Sequence, residues 1–263
     1  MLFINLFHTN LFAETKDTTS DKKQIDIEIE ANYLRHYIWR GAQFGSDDVS
    51  QSYIYAEYKK WAVNFGVNCN YFPKNLPMEF YTHPVVYDEQ DFQLTYTDEY
   101  KKLKYEINWY TYVYFFQINS PSTSELSAKL TYPLSEHFNI ISENVADIYS
   151  YKKSLYSNTG IQTTFTLFKK LEFEINLIDG YGNKYFNHAY YSDAANGVNY
   201  ISTYNELNIP LHHNYYIKGF YEYNRYTSKD VIDLIGINHT SNFGISLGKD
   251  FSIKLKSKPK SKI

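Results

Sequence analysis

With 263 residues, a formal net charge of −3 and one cysteine, Cys69, the chain has room for one large domain but none for an intramolecular disulfide or a cysteine-built metal site. The near-neutral balance gives no electrostatic footprint for nucleic acid, and a mean hydropathy of −0.50 with no apolar run near the roughly 18 residues of a spanning helix excludes a helical membrane protein. An aromatic content of 19%, with 29 tyrosines, is high for a water-soluble domain and suits a cylinder whose rims carry amphipathic rings.

Residues 1–13, MLFINLFHTNLFA, are apolar and end in a small residue. They read as the apolar region and cleavage site (Ala13–Glu14) of a secretory signal that lacks its basic lead, so that the true start lies upstream. The polar residues 14–24 then form an N-terminal periplasmic segment. From there the side chains alternate. In Leu103, Tyr105, Ile107, Trp109, Thr111, Val113 and Phe115, interleaved with Lys104, Glu106, Asn108, Tyr110, Tyr112 and Tyr114, a period of 2 puts one set on each face of a strand. The same pattern predicts strands over 25–40, 51–59, 61–71, 91–99, 103–116, 124–133, 139–149, 158–168, 171–179, 199–210, 215–226 and 237–251, and no helix.

The connections alternate too. Lys59-Lys60, 100–102, 133–138, 168–170 and 210–214 are short, whereas 41–50, 72–90, 117–123, 150–157, 180–198 and 227–236 are long and rich in Asn, Ser, Asp, Gly and Pro. Short turns on one rim and long loops on the other are the habit of barrels in the bacterial outer membrane, the short ones lying in the periplasm. The prediction is therefore an all-β fold: a closed antiparallel transmembrane β-barrel of 12 strands over 25–251, with a basic periplasmic tail over 252–263. A charge on the lipid face costs about 2–4 kcal/mol at mid-bilayer for Lys or Arg, which turns the apolar set outward and the polar set inward. Cys69 falls in the outward set. Arg35 does as well, and strand 199–210 must send either Asn205 or Glu206 toward lipid. The inward charges are mostly acidic, with Glu28, Glu30, Glu106, Glu143, Glu174 and Glu222 opposed by Arg40 and a few lysines. An open lumen of that sign favours cations or basic solutes; a closed one would pair the same groups with each other and with inward tyrosines.

The stretch Tyr37-Ile38-Trp39-Arg40-Gly41, followed by Gln43-Phe44, Gln51-Ser52-Tyr53-Ile54 and the Trp61-opened strand Trp61-Ala62-Val63-Asn64-Phe65-Gly66, resembles the TorF-type, or Gcw-type, proteobacterial outer-membrane porin family. Members share a Tyr-x-Trp-Arg-Gly turn after the first strand and a third strand that opens on Trp. The specific resemblance covers about residues 30–70, and the remainder agrees in strand pattern. It implies an outer-membrane barrel and a pore, with no established substrate. The basic tail and incomplete signal depart from the family. On this reading Trp39 belongs to the outer aromatic girdle, Arg40 points into the lumen near the mouth, and Gly41 releases the chain into the first loop.

The expected function is passage of small polar solutes or ions, with outer-membrane lipid as the surrounding partner, no cofactor, no metal and no nucleic acid. The oligomeric state is not readable. Two alternatives stand beside it. His239 and Ser241, two apart on one strand and facing the same way, match the His-x-Ser-Asn motif of outer-membrane lipid hydrolases, in which imidazole takes the hydroxyl proton. A closed structural or surface-binding barrel would work through the loops at 72–90 and 180–198. His212-His213 are adjacent and so diverge on a strand, and the acidic runs Asp47-Asp48 and Asp88 to Asp91 lack the spacing of a calcium cage.

Overall fold

The structure, a computed structural model, describes residues 24–45, 48–71, 85–115, 121–168, 170–191 and 197–255. The expected signal at 1–13, most of the expected 14–24 segment and the tail beyond 255 lie outside the described residues. Fourteen strands and two short helices follow in chain order: β1 (Gln24–Leu34), β2 (Tyr37–Trp39), β3 (Ala42–Gly45), β4 (Val49–Tyr58), β5 (Trp61–Tyr71), β6 (Val85–Tyr100), β7 (Leu103–Tyr114), β8 (Thr123–Pro133), β9 (Phe138–Asp147), β10 (Leu155–Leu167), β11 (Leu171–Gly182), α1 (Lys184–Tyr190), β12 (Gly197–Pro210), β13 (Tyr215–Tyr226), α2 (Lys229–Ile235) and β14 (His239–Lys254).

Twelve of these strands close a barrel by pairing each with its chain neighbour, and β1 pairs β14 antiparallel from Gln24↔Lys254 to Leu34↔Gly244. Closure removes both sheet edges, so every wall strand has a partner on each side. The period of 2 holds around the wall. Ile29, Ile54, Phe65, Leu126, Ile140, Ile161, Leu177, Phe243 and Ile245 stand exposed outside, while Glu30, Gln51, Asn64, Glu125, Lys129, Glu143, Glu174 and Lys218 are buried inside. Trp61, its ring tilted against Tyr96 at 5.0 Å, and Tyr100, Tyr132 and Tyr215 ring the short-turn end. Two of the tight turns there, Tyr58-Lys59-Lys60-Trp61 and Tyr100-Lys101-Lys102-Leu103, are near copies, with Lys59 and Lys101 both left-handed (φ 60° and 59°).

The expected first strand, 25–40, is two elements. The wall strand stops at Leu34, where the Arg35 amide makes a last bond to the Phe243 carbonyl (3.0 Å) and the His36 amide donates to Asn242 Oδ1 (3.0 Å). The chain then turns inward as the hairpin β2–β3, whose strands, among the described residues, pair only with each other. Arg40 (φ 47°) and Gly41 (φ 79°) form its two-residue turn, both left-handed, as a hairpin that follows the strand twist requires. Trp39 is accordingly not in the outer girdle: it is 2% exposed, inside the barrel mouth. Other boundaries move less. β6 starts at Val85 instead of 91, β10 at Leu155 instead of 158, and α1 and α2 occupy loops in which no helix was predicted. Register sends Glu206 inward and Asn205 outward, and Arg35 stays outside, bridging Asp48 at 3.1 Å. Cys69 is half-buried on β5.

Candidate functional site

The barrel interior holds three levels of polar chemistry, one brought in by the β2–β3 hairpin and two set by alternation along the wall strands. At the long-loop end the β2–β3 hairpin fills the mouth. Arg40, at its tip, reaches the far wall and forms a fork with Glu125 of β8: Nη1 donates to Oε1 (2.8 Å) and Nη2 to Oε2 (2.7 Å). The side chains are 4% and 2% exposed. The guanidinium lies 4.2 Å from the Trp39 ring centroid and 4.7 Å from that of Tyr156, so its flat faces are covered by rings and its edge by carboxylate. Burial works against the Arg40 charge, but the charge and hydrogen bonds of Glu125 outweigh it and hold the guanidinium above its already high ordinary pKa.

Neighbouring loops clamp the hairpin. Tyr191 donates to the Arg40 carbonyl and Tyr226 to the Gly41 carbonyl, each at 2.6 Å. A Cβ on Gly41 would collide with the Tyr200 ring, so this position tolerates only glycine on two independent grounds. Helix α1, capped by Asn183 accepting from the Phe186 amide (2.9 Å), delivers Phe186 and Tyr190 onto Trp39 at 5.9 and 4.5 Å. Val231 of α2 joins the same buried cluster.

Below the hairpin the wall is lined by carboxylates, amides and tyrosines. Lys218 bridges Glu30 at 2.8 Å and lies 4.6 Å from the Tyr216 ring, whose hydroxyl donates to Glu30 (2.6 Å) and to Glu28. Glu106 bridges Lys104 at 3.1 Å, Glu143 accepts from Asn158 (3.3 Å), Glu174 from Asn176 (2.7 Å) and Glu222 from Asn224 (2.8 Å). All seven side chains singled out from the sequence, Glu28, Glu30, Arg40, Glu106, Glu143, Glu174 and Glu222, thus face the interior, at different heights. At the short-turn end the interior widens into a cavity of about 430 Å³, lined by Glu28, Glu106, Glu172, Asp250, Tyr55, Tyr216 and Lys218 among others.

Sequence reading missed a repeat. Glu-x-Asn occurs five times, as Glu30-Asn32, Glu106-Asn108, Glu174-Asn176, Glu206-Asn208 and Glu222-Asn224, always with both ends facing in. A search for pairs two apart on the inward face would have found it.

The other candidates fall elsewhere. His239 and Ser241 lie on the exposed outer face of β14; His239 Nδ1 contacts Asn238 Oδ1 at 2.7 Å and its ring stacks on Tyr223 at 5.8 Å, with no hydrogen bond to Ser241 among the described residues. His212 and His213 sit in a 3-10 turn, not on a strand, their rings 6.0 Å apart. Asp47 is outside the described residues; Asp48 pairs with Arg35, and Glu89 and Asp91 are interior groups of β6 that accept from Asn68 at 3.0 and 3.1 Å, not loop carboxylates. Among the described residues no group of three or more His, Cys, Asp or Glu is arranged to hold a metal.

An apolar outer belt, a charged interior and full closure define the class: a transmembrane β-barrel with the fold of a porin. Among solved structures the chain is similar to the KdgM porin, at 8% identity, a TM-score of 0.50, and coverage of 86% of this chain and 99% of that one. It is similar also to the NanC porin (8% identity, TM-score 0.49, coverage 88% and 100%) and to an outer-membrane channel from Pseudomonas putida F1 (6%, 0.46, 88% and 96%). At such identities the likeness is one of fold. No family model and no curated protein matches the chain.

Proposed function

We propose that the protein is an outer-membrane porin that passes small polar solutes and prefers cations, lined by Glu28, Glu30, Arg40, Glu106, Glu143, Glu174 and Glu222. The observation that carries this reading is the lumen itself: an acid-rich wall that continues upward from a 430 Å³ cavity. Carboxylates in a low-dielectric tube concentrate cations and repel anions. The bilayer setting is supported by the belt of exposed Ile, Leu, Phe and Val that all twelve wall strands share with Tyr and Trp, far larger than a water-soluble barrel displays. The structured Trp39-Arg40-Gly41 turn supports kinship with the TorF-type porins, whose shared motif it is.

One observation favours a second reading, a closed barrel working through its surface: the β2–β3 hairpin occupies the mouth. Single-channel recording of the refolded protein in a planar bilayer under a salt gradient separates the two. The porin reading expects discrete conductance with a reversal potential on the cation side. A folded barrel that remains silent, both as the native chain and with the hairpin displaced, would leave the closed barrel.

A further inference from the structure

Four of the five inward Glu-x-Asn pairs leave the same atom unmet. Among the described residues, Oδ1 of Asn32, Asn176, Asn208 and Asn224 is buried with no hydrogen-bond partner, and Asn176 and Asn224 are 0% exposed. The cause is chemical. In three of these pairs the amide NH₂ is drawn to a carboxylate, Asn176 to Glu174 (2.7 Å), Asn224 to Glu222 (2.8 Å) and Asn208 to Glu172 (3.4 Å), which orients the carbonyl away as a bare acceptor. The fifth pair shows the contrast: Asn108 Oδ1 accepts from Thr95 (2.7 Å) and Gln93 (3.1 Å), and is satisfied.

The four unmet asparagine acceptors of the repeat share one side of the tube, while Asn64, Asp91 and Glu143 each leave one buried oxygen unmet on β5, β6 and β9. Strands β11, β12, β13, β14 and β1 are consecutive neighbours, and their register stacks the inward positions in rows. Asn32, Ser246, Lys218, Asn208 and Glu172 lie in one row at the cavity edge; Glu222, Tyr204 and Asn176 in a higher one; Asn224 and Ser202 higher still. The next row holds Tyr226 and Tyr200, which touch the hairpin turn. A track of amide and carboxylate oxygens therefore runs from the cavity to the hairpin. Acceptors without donors are the complement of a solute that brings several N–H groups and a positive charge. Two interior cations, Arg40 and Lys218, are held in that style, by carboxylate oxygen and ring face.

We propose that this wall selects donor-bearing organic cations, guanidinium and primary ammonium groups, over cations of similar charge that carry no N–H. The proposal rests on the porin reading and names its substrate class. The test is the reversal potential of the refolded protein in planar bilayers with potassium chloride on one side and methylguanidinium or tetramethylammonium chloride on the other. Methylguanidinium should exceed tetramethylammonium in permeability about tenfold beyond their ratio in free solution, the discrimination one net hydrogen bond supplies. Asn176→Leu with Asn224→Leu should abolish that excess in a protein that still conducts potassium. Asn176→Asp with Asn224→Asp, which keeps the acceptors, should retain it. A channel that conducts potassium and treats the two organic cations as free solution does would overturn this inference and leave the porin reading standing. A protein that conducts none of the three salts would overturn both.

Discussion

Arg40 keeps a full charge where water scarcely reaches it, so its partner matters more than its own energy. A buried ion pair is a weak source of net stability, because desolvating two charges cancels most of their attraction, yet breaking one is costly because a charge stays behind. Glu125→Gln, which keeps the shape and removes the countercharge, should destabilise the folded barrel by about 3–5 kcal/mol. Replacing both ends with apolar groups of similar volume, Arg40→Met with Glu125→Leu, should cost far less. Urea titrations of folding into lipid vesicles measure both, and equal losses for the single and double variants would show that the fork carries no uncompensated charge. At this scale the sequence was only partly legible. The inward set of the wall followed from alternation alone, whereas Arg40 reaches the interior from the turn of a separate hairpin. Trp39 did not follow from it, because an apolar aromatic next to a strand end looks the same whether it meets lipid or the inside of a loop. The partner Glu125 lies 85 positions away, and nothing local announces the pair.

The hairpin β2–β3 is an element the sequence hid. Alternation holds from Ile25 to Tyr33 and neither Gly nor Pro follows before Gly41, so the strand reading continues past Leu34, the last residue to pair with β4 and β14. Its turn is Arg-Gly, not the Asn-Gly or Asp-Gly that usually marks two left-handed residues. The short turns at the other rim were legible because Lys59-Lys60 and Lys101-Lys102 interrupt two strongly periodic runs. Among the described residues the hairpin strands pair only with each other, so displacing them should leave the barrel closed. Gly41→Val tests this. Any L-residue at φ 79° costs about 1–2 kcal/mol, and the new side chain strikes the Tyr200 ring. The variant should keep the heat-modifiable gel mobility of a folded barrel and conduct several-fold more than the native chain. If limited proteolysis shows the hairpin released and conductance is unchanged, the hairpin does not limit the passage.

The whole molecule is specified twice over, by the period within strands and by the alternation of short and long connections between them, which is why its architecture was readable while its contents were not. Twelve strands of modest apolar character make one continuous belt only when closure aligns them, and the belt's solvent can be tested directly. On β8 the outward face runs from Ser124 through Leu126, Ala128 and Leu130 to Tyr132 beside the short turn. Ala128 sits midway, and Tyr132 is at the rim. In a bilayer, Ala128→Lys should lower stability by about 2–4 kcal/mol, whereas Tyr132→Lys should cost only about 0–1 kcal/mol, because a rim lysine extends its amine into the headgroups. A face bathed in water would make both changes nearly neutral, since the lysine would simply be solvated. Unfolding titrations from phosphocholine vesicles give the two values, and a gradient between them fixes the depth of β8 in the membrane. Equal, small losses would take the barrel out of the bilayer, and with it the case for a pore.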